Sequence, residues 1–189
     1  GRALNRCIWL CLAALGCAKD ATAPATDRGC NGHVDLCDQL IDAVTFAGTH
    51  NSMANADAGW MAPNQQHGIP QQLNDGIRAM MLDTTEWEGE PYLCHGYCEL
   101  GAQPLADGLG EIEEFLQNNP REVAIIVFQD GLTIDEMVAS LEASGLADRA
   151  WEWNNDLPTL GELIDQGTNL IVTSEHHSPP PGWYHHAWE

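Results

Sequence analysis

The 189-residue chain sets 28 Asp and Glu against seven Lys and Arg, a formal charge of −21, and 44% of it is hydrophobic. That size and apolar content suit one globular domain with its own core. So few cations argue against nucleic-acid binding, which needs Lys and Arg to meet phosphates, and against a polybasic patch for anionic lipid.

Arg2 and Arg6 precede the short apolar run 7–16. A charged start followed by such a run reads as a secretory signal over residues 1–17, too short to span a bilayer. Ala14-Leu15-Gly16-Cys17 has the form of a bacterial lipobox, so Cys17 is a candidate for lipidation, with simple cleavage as the alternative. The expected location is therefore exported: secreted, or anchored as a lipoprotein in a bacterial envelope. Residues 18–29 are small and polar and read as a tether. In an oxidising compartment Cys30 with Cys37, and Cys94 with Cys98, become two local disulfides. A zinc site would need closely spaced Cys pairs of a kind these spacings do not offer.

The domain itself starts near Cys30 and runs to residue 189. Val44–His50 is β-rich and ends in Gly48-Thr49-His50. Residues 70–75 form a short predicted helix, entered at Pro70 and left at Gly76. Ile77–Asp83 and Tyr92–His95 are the second and third strand candidates. Leu109, Ile112, Phe115 and Leu116 recur at helical spacing before Pro120. Residues 123–128 form a continuous apolar run, as in a strand buried on both faces. Ile134, Met137, Val138 and Leu141 repeat the helical period up to Gly145, and a short helix over 159–165 precedes a fifth strand candidate at 170–173. The tail through His176, His177, His185 and His186 reads as a Pro-rich loop with stray aromatics.

Buried strands joined by crossover helices predict an α/β fold with a parallel sheet. Five strands do not close a barrel of eight. The expectation is therefore a (β/α)8 TIM-barrel-like domain cut short after about five strands, with an open five-stranded sheet as the alternative.

Polar clusters end four of these strands: His50-Asn51-Ser52, Asp83, His95 and Gln129-Asp130. Ligands bind at that end of parallel strands. Two of the clusters carry histidine, the side chain that takes or gives a proton near neutral pH. Phosphate-loop, nucleophile-elbow and dinucleotide-turn motifs do not occur.

Phe46-Ala-Gly-Thr-His-Asn-Ser52, then Gln72-Leu-Asn-Asp-Gly-Ile-Arg-Ala-Met-Met-Leu-Asp83, then Leu93-Cys-His-Gly96 resembles the X-region of the phosphatidylinositol-specific phospholipase C superfamily. The likeness is greatest to its secreted, cysteine-containing bacterial branch, and it extends from about Cys30 to Thr173. The resemblance implies a distorted TIM barrel that hydrolyses a phosphodiester of a phospholipid at a membrane surface, with no nucleic-acid or protein partner. It makes His50 the general base and His95 the general acid. Some members stabilise the phosphoryl charge with an arginine in the second strand, where this sequence has Met81 and Asp83, and Arg78 is expected on the opposite strand face in an ion pair. Other members use calcium. By that likeness a divalent metal, Ca2+ or Mg2+, is expected on Asn51 and Asp83 with help from Glu86 or Asp130, since oxygen ligands suit a hard cation. The family has a Glu where this chain has Gln129. Two rivals remain: a glycerophosphodiester- or sphingolipid-type phosphodiesterase, and a head-group binding domain without turnover.

Overall fold

A computed structural model describes residues 29–154, 156–176 and 181–188. The expected leader, Cys17, His177 and the tether up to residue 28 lie outside them. Among the described residues seven strands make one open sheet: β1 (Gly48–Thr49), β2 (Ala79–Trp87), β3 (Glu90–Leu93), β4 (Gln103–Pro104), β5 (Ala124–Asp130), β6 (Leu170–Ser174) and β7 (Tyr184–His186). Their lateral order is β4-β3-β2-β5-β6-β7, with β1 beside the start of β2. Strands β1, β2, β5, β6 and β7 are parallel neighbours, as the buried apolar runs predicted.

The third strand departs from expectation. It is antiparallel to β2, and β4 is antiparallel to it in turn. The cause is a two-residue turn at Glu88 and Gly89, both at positive φ (54° and 85°), closed by the pair Trp87 and Glu90. Two consecutive positive φ values give the hairpin turn whose twist matches the strands it joins. The tail also differs, because Tyr184–His186 docks beside β6 as a strand.

Four helices connect the parallel strands: α1 (Ile69–Asn74), α2 (Leu105–Asn118), α3 (Ile134–Ser144) and α4 (Leu160–Gln166). Both α3 and α4 open with a reciprocal capping box, Thr133 with Glu136 and Thr159 with Glu162, and end at left-handed Gly145 and Gly167. An N-cap of this kind stabilises a helix by about 1 kcal/mol.

Alternation along the strands gives the sheet two unlike faces. Met80 and Leu82 of β2, Ile126 and Phe128 of β5, and Leu170 and Val172 of β6 lie in the main buried cluster with Leu109 and Ile112 of α2 and Met137 of α3. This is the helix face, covered by α1, α2 and α3, whereas α4 packs into the second cluster. On the other face a second cluster closes the N-terminal ends of the strands: Val123, Trp151, Leu160, Leu163 and Ile171, with Cys30. The Cys30–Cys37 disulfide belongs to that closed end. Arg121 ties it down by donating from Nε to the Gly29 carbonyl at 2.7 Å, and Asn31 exchanges hydrogen bonds with the backbone of Val123.

Candidate active site

Side chains paired in register across parallel strands share a face. The face opposite the helices is therefore built in layers, as in the interior of a barrel. The lowest layer is Ala79, Ile125 and Ile171; the next is Met81, Val127, Thr173 and His185; the top pairs Asp83 with Gln129. Glu175 continues that top layer, its N–H donating to the Phe128 carbonyl at 2.8 Å and its carboxylate accepting from Gln129 Nε2 at 3.0 Å. The face thus turns from apolar to polar along the strands, and the polar layer stands at their C-terminal ends.

The loop after β1 brings His50 to this layer. Gly48 permits the close pairing of β1 with β2, since a Cβ there would meet the Ala79 side chain and carbonyl at 3.2 Å. Asn51 then turns left-handed at φ 49°, a region that Asn tolerates better than most residues, and the next N–H, of Ser52, donates to the Met81 carbonyl at 2.9 Å. Gln72 of α1 clamps the loop: its Nε2 donates to the carbonyls of Ser52 and His67, each at 2.7 Å, while its Oε1 accepts from Thr49 Oγ1 at 2.7 Å. The His50 imidazole is left exposed.

His95 arrives from the opposite direction, at the end of the hairpin. The Cys94 N–H donates to the Asp83 carbonyl at 3.2 Å, and the Cys94–Cys98 disulfide closes a loop around His95. Both expected disulfides therefore form. One sits at the closed end of the sheet, and the other frames a histidine at the polar end.

The charges of both imidazoles act on Asp83, only 7% exposed. Burial pushes its carboxyl above the usual carboxylate range; the His95 and His50 charges pull it back down, and the Glu175 charge pushes it up. His50, His95 and Glu175 thus all act on one carboxylate. Asp83 Oδ1 and both side-chain polar atoms of Asn51 are buried without a hydrogen-bond partner. An orphaned buried polar atom costs about 1–3 kcal/mol, so orphans concentrated at a strand end mark a place organised for something other than stability.

Two expected metal helpers do not join this group. Asp130 pairs in register with Thr84 and so faces the helix side, where its Oδ2 accepts from Tyr184 Oη at 2.8 Å and from Ser174 Oγ. Glu86 stands three positions from Asp83 on β2, hence on the other face, and is exposed at the hairpin. Parity along the strand was the signal in both cases. Arg78 is structural, as expected: its guanidinium donates to Glu122 at 2.8 Å and lies 4.8 Å from the Phe115 ring centroid. Arg149 forks onto Glu113 through two bonds of 2.6 and 2.9 Å. With Arg121 at the closed end, every arginine among the described residues is engaged away from the histidine layer. Sequence reasoning missed the roles of Gln72 and Glu175; Glu175 becomes legible only once β5 and β6 are placed in register.

The run of parallel strands with one antiparallel hairpin and helices between them is a phospholipase C-like phosphodiesterase fold. The chain belongs to the PI-PLC X family, since the family model PI-PLC X 1 matches residues 36–180. An uncharacterized secreted protein of Arthroderma benhamiae is 32% identical over 158 residues, which cover 79% of this chain and 36% of the relative. A PI-PLC X domain-containing protein of Arabidopsis thaliana is 29% identical over 151 residues, covering 70% of this chain and 35% of that protein. The chain thus spans about a third of the length of these curated relatives. Among solved structures, the phosphatidylinositol-specific phospholipase C of Listeria monocytogenes shares the fold with a TM-score of 0.57 at 23% identity, over 77% of this chain and 56% of that one. PLC21 of S. officinalis gives 0.56 at 17% identity, over 72% and 19%.

Proposed function

We propose that this chain carries the acid–base pair of an exported phosphodiesterase of the phosphatidylinositol-specific phospholipase C type, acting on a phospholipid at a membrane surface. The observation that supports it most is the convergence of His50 and His95, from separate elements, on the single buried carboxylate of Asp83. In-line displacement at phosphorus needs a proton removed on one side and delivered on the other. His50 takes the proton of the head-group 2-hydroxyl, whose oxygen forms the new bond to phosphorus. His95 gives a proton to the glycerol oxygen as its bond to phosphorus breaks. The products are diacylglycerol and a cyclic inositol phosphate.

The charge that grows on the phosphoryl oxygens needs a positive partner, and no arginine of the described residues is available to it. The orphaned oxygens of Asn51 and Asp83 fit a hard divalent cation, Ca2+ or Mg2+, and such an ion would supply that positive charge. Among the described residues no three His, Cys, Asp or Glu side chains gather to hold a metal, so the protein's share of the ligands stays at Asn51 and Asp83. Export is supported by the two disulfides and by the secreted relative. No helix of the described residues is long and apolar enough to cross a membrane.

Phosphorus NMR of the protein acting on phosphatidylinositol vesicles tests the reading. The expected product is the cyclic phosphate, formed only while divalent metal is present. A non-cyclic phosphate as the first product would favour the glycerophosphodiester or sphingolipid rival, and undiminished turnover in excess EDTA would remove the metal. A head-group binding domain without turnover is the second reading, favoured by Met81 and Gln129 at positions where the resembling families carry carboxylates.

A further inference from the structure

His95, Gly96 and Tyr97 are exposed, and they stand between two buried cysteines, Cys94 at 3% and Cys98 at 8% exposure. We propose that the Cys94–Cys98 disulfide is the positioning element of His95, so that opening it to two thiols switches off the acid half of the chemistry while the domain stays folded. The inference rests on the phosphodiesterase reading for the task of His95. It deepens that reading by naming how the site is regulated: the acid is in place only in an oxidising compartment, where such a bond persists.

Among the described residues no hydrogen bond holds the His95 ring, so the backbone of its loop sets its place. That loop supplies little of its own: the Tyr97 N–H donates to the His95 carbonyl at 3.0 Å, and Gly96 turns left-handed at φ 74°. Its two ends, by contrast, are fixed. Cys94 and Cys98 both lie in the main buried cluster, with Leu93 and Trp60, so the bond fastens the exposed turn to the core on either side of the histidine. The chain leaving Cys98 then meets the loop that follows His50. Met61 N–H donates to the Leu100 carbonyl at 2.7 Å, and the Trp60 indole lies so close to Gly101 that a Cβ there would collide with it. From that same loop Gln65 Nε2 donates to the His50 carbonyl at 2.7 Å. The disulfide thus anchors one imidazole against the segment that holds the other. Its separation is only four residues, and the hold of a disulfide on the unfolded chain shrinks with loop length. Fixing the turn is therefore the larger part of what it does. Cys30–Cys37 differs, since it sits at the closed end with Arg121 Nη2 donating to both sulfurs at 3.4 Å.

Opening takes a dithiol reductant. One of its thiolates bonds to a cysteine sulfur and expels the other cysteine; the second thiolate then closes the reagent's own disulfide and expels the first. Two electrons and two protons pass to Cys94 and Cys98, and the reductant leaves oxidised.

The test compares the protein with its Cys94→Ser/Cys98→Ser variant on two substrates, phosphatidylinositol vesicles and p-nitrophenyl inositol phosphate. A glycerol oxygen needs a proton as it leaves, whereas nitrophenolate does not. The variant is therefore expected to lose about tenfold or more in kcat on the lipid and less than about twofold on the nitrophenyl ester. An equal loss on both substrates, or none on the lipid, overturns the inference and leaves the phosphodiesterase reading intact. Should the variant fail to fold, the native protein is titrated with dithiothreitol, and each open pair is counted by alkylation and mass spectrometry. Lipid turnover should fall with the opening of Cys94–Cys98 and return on reoxidation; turnover that survives with this pair open overturns the inference. If the native protein cleaves neither substrate, the phosphodiesterase reading fails, and proton NMR of the His95 ring decides. Signals that move on reduction toward those of a free peptide keep the positioning role, and unmoved signals overturn it.

Discussion

Asp83, near the end of the parallel stretch of β2, and Asp130, the last residue of β5, are each 7% exposed and stand one register step apart, yet they do opposite things. Asp130 faces the helices and is met by Tyr184 and Ser174, so its charge ties β7 to β5 and β6. Burial, and then the Asp130 charge, push the Tyr184 hydroxyl far above its usual range, so it stays a donor to the carboxylate. Asp83 feels the charges of both histidines and keeps an orphaned oxygen, and both polar side-chain atoms of Asn51 are orphaned too. One residue of displacement along a strand separates an aspartate that holds the fold from one that, on the function proposed above, serves the chemistry. The lesson is that burial alone does not tell the two apart, whereas strand parity does, together with the Tyr184 and Ser174 donors that meet Asp130 Oδ2.

Substitution at the two aspartates' surroundings tests this contrast. The largest effect is expected at Asp83→Asn, which should lower kcat by about 100-fold or more, in the range found when one electrostatic group of an active site is removed, while making the protein more stable. The sign follows from the raised carboxyl pKa of Asp83. The folded state binds that proton more tightly than the unfolded chain does, so stability falls as pH rises from about 4, the unfolded value, to the higher folded one. Thermal melts should accordingly show Asp83→Asn above the native protein at pH 7, by about 2–4 °C for each kcal/mol recovered, with the gap closing on acidification below that window. A lower Tm for the variant at pH 7 would mean that Asp83 is stabilising, and the contrast with Asp130 would dissolve.

A smaller effect of the opposite kind is expected on the other face. Tyr184→Phe removes a hydrogen bond to a buried carboxylate and should cost about 1.5–3 kcal/mol of stability, read as a lower denaturant midpoint. Turnover per folded molecule should be unaltered below the melting range. Loss of activity in a variant that is still folded would bring Asp130 into the chemistry after all.

Much of this was legible in the residues. Apolar runs without alternation announced the parallel strands, the helical period up to Gly145 and the short helix over 159–165 anticipated α3 and α4, and the cysteine spacings gave both disulfides. The histidines were legible because two of them ended strands in a chain otherwise poor in cations. What escaped was set by register and by turns. The Glu88-Gly89 hairpin reversed β3, which no hydrophobic period reports. The tail from Tyr184 to His186 looked like loop because its pairing partner, β6, is supplied by the fold and not by its own pattern. Glu86 was grouped with Asp83 by nearness along the chain and Asp130 by its place beside Gln129, and alternation sent both to the other side. Glu175 lay 92 positions beyond Asp83 in the numbering and joined it only across two strand pairings.

The most direct test of the central claim is the turnover of His50→Ala and His95→Ala, each verified as folded by its unchanged melt. General acid or base catalysis by one side chain contributes about 100-fold to 10,000-fold, so each single variant is expected to lose that much kcat, and the double variant little more than the worse of the two. Robust phosphodiester cleavage surviving in the double variant would contradict the account.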